Sequence, residues 1–353
     1  MQSAAHQEKH FQQYIIDRLV DQGWKLGDSK FYDTERAVYP EDLESWIKTS
    51  GQQEKWDKLE RLNGAKTLEV LMDRLDKALE KQGTMQVLRQ GFSIAGCGLI
   101  EMTEVAPEDK RNAAVIERYQ ANILRVVPEL KYHPAREFAI DLVLFINGLP
   151  VATVELKTDF TQSCEAAMDQ YRNNRLPYDA KTKRREPLLT FKRGAVVHFA
   201  MSDSEIMMAT KLDGENTFFL PFNKGRKDES GTVHAGNPPG EIKADGTQEY
   251  PVAYFWEEVC QPNAWLRIFH SFVYVEKKDV VDIQGNWSKK ETLIFPRFHQ
   301  WTAVNQMLAD ARENGAGMTY LCDHSAGSGK TSTISWTAHD LVKLREDNGD
   351  AVF

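Results

Sequence analysis

An acid inside an otherwise apolar strand constrains this chain more than any other feature. The run Ile140-Asp141-Leu142-Val143-Leu144-Phe145-Ile146 is apolar on both faces and rich in branched residues, the pattern of a strand covered on both sides. A buried, unpaired carboxylate is costly, so Asp141 requires a cation, a basic partner or an exposed strand end. Glu155 raises the same question one strand later, in Val154-Glu155-Leu156-Lys157. Lys157, two residues beyond Glu155, points to the same face.

Asn147-Gly148 between the runs signals a tight hairpin. With regular pairing, that turn sets Asp141 opposite Val154 and sends the two acids to opposite faces. Chemistry that uses both acids requires a slip of one residue, through a three-residue loop or a bulge. Gly148 permits it, and Pro150 near the turn favours it. Asp141 then stands opposite Glu155, and the pair makes an oxygen pocket suited to Mg²⁺. Lys157 can orient an attacking water there or offset phosphate charge. This is the outline of a metal-dependent phosphodiester-cutting site. The plainer alternative is an amphipathic hairpin with its charges at a solvent edge.

The Asp-x(13)-Glu-x-Lys spacing resembles the PD-(D/E)xK nuclease motif. Ile140 through Asn147-Gly148-Leu149-Pro150, followed by Val154-Glu155-Leu156-Lys157, looks like the N-terminal nuclease domain of type I restriction enzyme motor subunits. The resemblance implies an α/β fold with a mixed sheet flanked by helices, with Asp141 and Glu155 as Mg²⁺ ligands and Lys157 as the third catalytic residue. It also makes Glu8, on the first helix, a candidate accessory acid. That family often carries Gln-x-x-x-Tyr on the following helix. Here Ala167 stands four residues before Tyr171 and Gln170 sits beside it, so Gln170 and Tyr171 are candidate accessory residues whose role the departure leaves open.

A second motif reads His324-Ser325-Ala326-Gly327-Ser328-Gly329-Lys330-Thr331. The strand-like Met318–Cys322 precedes it, and a helical stretch follows through Leu344. Gly327, Ser328 and Gly329 let backbone N–H groups close around phosphate, Lys330 reaches the β/γ-phosphates and Thr331 holds Mg²⁺ at a helix N-terminus. Phe295-Pro296-Arg297-Phe298-His299-Gln300 resembles the adenine-reading motif of superfamily 2 helicases, with Gln300 on the adenine edge. ATP is therefore an expected cofactor, bound by the opening elements of a RecA-like motor. Ala351-Val352-Phe353 reads as the start of a further strand, so the motor is expected to be cut off there. The expected organisation is an endonuclease domain over 1–260, a linker over 261–290 and a motor fragment over 291–353.

A net charge of −8 argues against coating DNA through bulk charge, leaving a local basic surface for that purpose. Arg172, Arg175, Lys183, Arg184 and Arg185, with Lys181, Lys192 and Arg193 nearby, follow the hairpin and are the expected DNA contacts. No base-reading pattern accompanies them. Cys97, Cys164, Cys260 and Cys322 lack metal or disulfide spacing. No stretch of membrane-spanning length or export signal is visible, which fits a cytoplasmic protein.

Periodicity predicts helices over 7–22, 41–49, 53–62, 66–81 and 162–174. Strands are expected around 90–101, 122–127, 138–146 and 151–157, with a hairpin over 195–200 and 205–210. Residues 223–249 read as a long loop, 253–271 as an apolar helix and the stretch to about 290 as irregular. The resemblance thus implies an endonuclease and ATP-dependent DNA translocase, partnered by double-stranded DNA and by methyltransferase and specificity subunits. Two alternatives are another nuclease–helicase fusion (a type III restriction subunit or a repair nuclease) and a non-cleaving scaffold that engages DNA. A nuclease placed before the motor disfavours the type III reading.

Overall fold

The computed structural model describes residues 4–159, 163–179, 181–281, 285–325, 327–345 and 350–352. Ala326 of the phosphate loop and Phe353 of the expected next strand lie outside the described residues.

The helices are α1 (Ala4–Asp21), α2 (Pro40–Thr49), α3 (Gln53–Asn63), α4 (Thr67–Gln82), α5 (Thr84–Gln90), α6 (Ala113–Gln120), α7 (Cys164–Asn174), α8 (Pro262–Arg267), α9 (Phe298–Asn314) and α10 (Lys330–Leu341). Strands β1 (Lys25–Leu26), β4 (Leu124–Lys131), β5 (Ala139–Ile146), β6 (Leu149–Leu156), β7 (Val197–Met201), β8 (Ile206–Ala209) and β9 (Leu220–Pro221) form one sheet in that spatial order. Short hairpins β2/β3 (Phe92–Ile94, Gly98–Ile100), β10/β11 (Arg226–Lys227, Val233–His234) and β12/β13 (Tyr274–Val281, Trp287–Ile294) stand apart from it. The β1/β4 and β6/β7 pairs are parallel and the others antiparallel, so the sheet is mixed. The fold is α/β, with a central mixed sheet and helices.

Alternation along β5 and β6 divides the core. Leu142, Leu144, Val154 and Leu156 face a large apolar cluster with Phe11 and Ile15 of α1 and Leu75 of α4. Val143 and Phe145 face a second cluster in which α7 contributes Ala167, Met168 and Tyr171. Arg125 of β4 makes a buried bidentate pair with Asp42 of α2, at 2.6 Å from Nε to Oδ2 and from Nη2 to Oδ1. Each buried charge thereby answers the other.

Several expectations need correction. Residues 261–290 are not a linker: Trp265, Leu266, Phe269 and Phe272 are buried in the main core, and β12/β13 follow directly. The expected helix over 253–271 is interrupted, with wide helical turns at Phe255–Val259 and Ile268–Phe272 flanking α8, which Pro262 opens. Proline lacks the N–H a helix interior needs but suits a first turn. Further on, Met318–Cys322 forms no strand. A strand needs a neighbour to satisfy its backbone groups, and among the described residues none pairs with it. There α9 and α10 pack together, tied to α8 by Arg267 Nη2 and Asp340 Oδ2 at 2.7 Å, and the described residues form no RecA-like parallel sheet.

Candidate active site

The β5/β6 turn is tight and both its residues have positive φ, Asn147 at 49° and Gly148 at 86°, as a type I′ turn demands. The Asn147 side chain is buried: Nδ2 donates to Met102 O at 2.7 Å and Oδ1 accepts from Ile123 N at 2.7 Å. Pairing runs Ile146↔Leu149 and Phe145↔Pro150, then shifts to Leu144↔Ala152, Val143↔Thr153 and Leu142↔Val154. Val151 is the extra residue of a bulge beside Pro150, a place where a missing N–H is tolerated. The slip of one that the chemistry requires is present, and continuing this register sets Asp141 opposite Glu155.

Asp141 is partly exposed, and its Oδ2 accepts from Leu156 N at 2.6 Å. Glu155 is fully buried; Oε1 accepts from Arg175 Nε at 2.5 Å, while Oε2 has no hydrogen-bond partner. Lys157 Nζ donates to Leu156 O at 2.8 Å and lies 3.4 Å from both carboxylate oxygens of Glu8. The acid on the first helix therefore reaches the hairpin lysine. Burial raises the Asp141 carboxyl above its ordinary range, with Glu8 and Glu129 adding to the effect against Leu156 N–H and Lys157. Burial, then the Asp141 charge, pushes Glu155 well above the usual carboxylate range despite Arg175. Two acids that resist ionisation in one place create a demand for a cation.

Among the described residues, no group of three or more His, Cys, Asp or Glu side chains is arranged to hold a metal ion. Magnesium does not need one. It takes one or two protein carboxylates and completes its shell with waters and substrate phosphates. Asp141 and Glu155, with the orphaned Oε2, fit that requirement.

The other expected residues divide. Tyr171 is fully buried, its hydroxyl 2.8 Å from Thr153 Oγ1, which also lies 2.7 Å from His198 Nδ1. Burial lowers the His198 ring to about 3, so this network beneath Glu155 is neutral. Tyr171 supports the floor of the site, Ala167 packs against the sheet, and half-buried Gln170 lies beside them. Arg175 is turned inward onto Glu155 instead of outward to DNA, because Glu155 without it would have no basic partner at hydrogen-bonding distance. Arg172 pairs with Glu165 at 2.7 Å, Arg184 with Glu35 at 2.7 Å and Arg185 with Glu80 at 3.0 Å; Lys183 stands over the Tyr178 ring at 5.7 Å. The basic stretch is thus largely matched by acids.

Sequence reasoning missed Gln12, whose Nε2 donates to the Asp141 carbonyl at 2.7 Å and to Glu129 Oε1 at 3.2 Å. Its signal was the i, i+4 spacing from Glu8, which puts both on one face of α1.

At the second motif, α9 brings Gln300 to the phosphate loop. Gln300 Nε2 donates to Gly329 O at 3.0 Å, and His299 Nε2 lies 3.2 Å from Ser328 O. Lys330 Nζ is folded back onto its own loop, donating to His324 O at 2.8 Å and Ser325 O at 3.0 Å. Gly327 and Gly329 have positive φ of 76° and 83°, Ser328 Oγ is buried without a partner and Thr331 is exposed. An orphaned hydroxyl and a lysine resting on carbonyls suit a polyanion.

Residues 6–217 match the family profile described as type I restriction enzyme R protein N terminus. No curated protein matches the chain. The match spans more than half of the 353 residues; it includes Glu8, Asp141, Glu155, Lys157 and Arg175 and ends before the phosphate loop. The chain belongs to the family of type I restriction enzyme R proteins, whose N terminus its residues 6–217 form.

Proposed function

We propose that this chain carries the DNA-cutting centre of the R subunit of a type I restriction–modification complex and that Asp141, Glu155 and Lys157 hydrolyse DNA phosphodiesters. The observation that carries the reading is the Val151 bulge, which turns a register that would separate the acids into one that sets Asp141 opposite Glu155. Mg²⁺ held by these carboxylates would lower the pKa of a water and offset charge on the phosphate. The protein's own part is electrostatic. Arg175 donates to Glu155 and lowers the cost of its ionisation, Leu156 N–H fixes Asp141, and Lys157 turns from Glu8 toward the phosphate, where its ammonium balances the charge that builds up. Water oxygen bonds to phosphorus, one P–O ester bond breaks, and the leaving oxygen takes a proton. Exposed ion pairs contribute little, so Arg172, Arg184 and Arg185 can exchange acid partners for DNA phosphates, and Lys183 can leave the Tyr178 ring for one; Arg175 is not among those contacts.

The phosphate loop supports the rest of the reading: Gly327 to Thr331 bind ATP, Gln300 reads the adenine, and hydrolysis drives DNA translocation in the cytoplasm. Methyltransferase and specificity subunits anchor the assembly. The test is made in that assembly. Asp141→Ala, Glu155→Ala and Lys157→Ala should each abolish cleavage while DNA-stimulated ATP hydrolysis survives. Wild-type cutting by all three variants would remove the assignment.

A further inference from the structure

Helix α1 touches the candidate site at two points one turn apart. Glu8 reaches Lys157, and Gln12, only 8% exposed, reaches the backbone of Asp141. The Gln12 amide nitrogen has two protons to give. One goes to Asp141 O at 2.7 Å and the other to Glu129 Oε1 at 3.2 Å. The β4/β5 ladder is irregular at that spot: Pro128 pairs with Leu142 and Leu130 with Ile140, and the residues skipped between them are Glu129 and Asp141. Glu129 also has a φ of 47°, a conformation that a non-glycine residue adopts only at a cost. The core does not require a glutamate there, because Glu129 is exposed and glycine would take this backbone without strain. The strained position lies across the ladder from the acid on which the site depends.

We propose that Gln12, anchored on Glu129, is a positioning residue of the metal centre: it fixes the Asp141 backbone so that the Asp141 carboxylate meets the cation beside Glu155. Leu156 N–H holds that carboxylate at Oδ2, and Gln12 holds the main chain from which it projects. Only an amide serves both acceptors. A carboxylate or a thioether of the same length has no proton for either the carbonyl or Glu129. Beyond burial, Glu8 and then Glu129 raise the Asp141 carboxyl, so the Glu129 charge is felt at the metal pair. Groups that aim a metal ligand in this way are worth about 10–100-fold in metal affinity.

The inference rests on the DNA-cutting reading through its Mg²⁺ pair, and the test keeps the two apart. Mg²⁺ binding to the whole chain is measured by calorimetry, beside the Tm in EDTA, for wild type, Asp141→Ala, Gln12→Met and Glu129→Gly. Gln12→Met keeps the length and packing of the side chain and removes both donors. Its Mg²⁺ dissociation constant should rise about 10-fold or more, with circular dichroism and cooperative melting still those of a folded chain. Glu129→Gly removes the anchor and the strain together. It should melt no lower than wild type in EDTA and yet bind Mg²⁺ more weakly, whereas a merely structural bridge would lower the Tm and leave the affinity alone. Wild-type affinity in Gln12→Met, with Asp141→Ala defective, overturns the positioning role alone. If Gln12→Met does not fold, Glu129→Gly decides, and wild-type affinity there overturns it. A wild-type chain that takes up no Mg²⁺ overturns it together with the metal-dependent cutting reading.

Discussion

Arg175 Nε meets Glu155 Oε1 at 2.5 Å in the interior, where Glu155 is fully buried. The arginine offsets part of the effect by which burial and Asp141 raise this carboxyl well above its ordinary range. Arg175→Met should cost about 3–5 kcal/mol, the range for stranding one half of a buried pair. The loss in urea unfolding should be larger at pH 8 than at pH 6, where Glu155 can take up a proton instead. Arg175→Met combined with Glu155→Leu should recover most of it; a double variant as unstable as the single one contradicts this account.

The carboxyls of Asp141 and Glu155 are both raised on folding. The folded state therefore holds protons that the unfolded state releases, so their contribution to stability falls as pH rises from the ordinary carboxylate range through the folded values. Measured in EDTA, the Tm difference between wild type and Glu155→Gln should move against wild type as pH increases. Mg²⁺ binding must displace those protons. Calorimetry in buffers of different ionisation enthalpy should show proton release and an affinity that rises with pH; pH-independent binding argues against metal at this pair.

Thr153 Oγ1 joins the Tyr171 hydroxyl at 2.8 Å and His198 Nδ1 at 2.7 Å, all buried. Thr153→Val keeps the shape and strands both partners. It should destabilise by about 1–3 kcal/mol in chemical denaturation, and an unchanged midpoint would mean the network contributes nothing.

Much of the fold is legible in the chain because period and burial agree. Phe11, Ile15 and Leu19 mark α1, and the apolar runs mark β5 and β6. The need for a bulge is also legible, since two acids at odd and even register cannot share a face without one. Arg175 is different: eight residues of basic character follow the hairpin, and nothing local distinguishes the one whose chain turns inward after α7. Gln12 is hidden for the same reason, its partners Glu129 and Asp141 lying far away in sequence. The linker reading failed because aromatic residues such as Trp265 and Phe269 carry no regular period when a proline breaks the helix between wide turns.

Lys330 rests on His324 O and Ser325 O, contacts that a nucleotide's phosphates would replace. In the complete restriction complex, Lys330→Ala should eliminate ATP hydrolysis and the cleavage that depends on translocation. DNA-stimulated ATP hydrolysis at wild-type rate in that variant would show that the loop is not the nucleotide site.

The most direct test of the nuclease centre is nicking of supercoiled plasmid by this chain in Mg²⁺, followed on agarose for wild type and Asp141→Ala. Wild type should convert plasmid to open circles only when Mg²⁺ is present, and Asp141→Ala should fall to the level of the no-metal control. Equal nicking by both proteins, or nicking by wild type in EDTA, would contradict a centre built on Asp141 and Glu155.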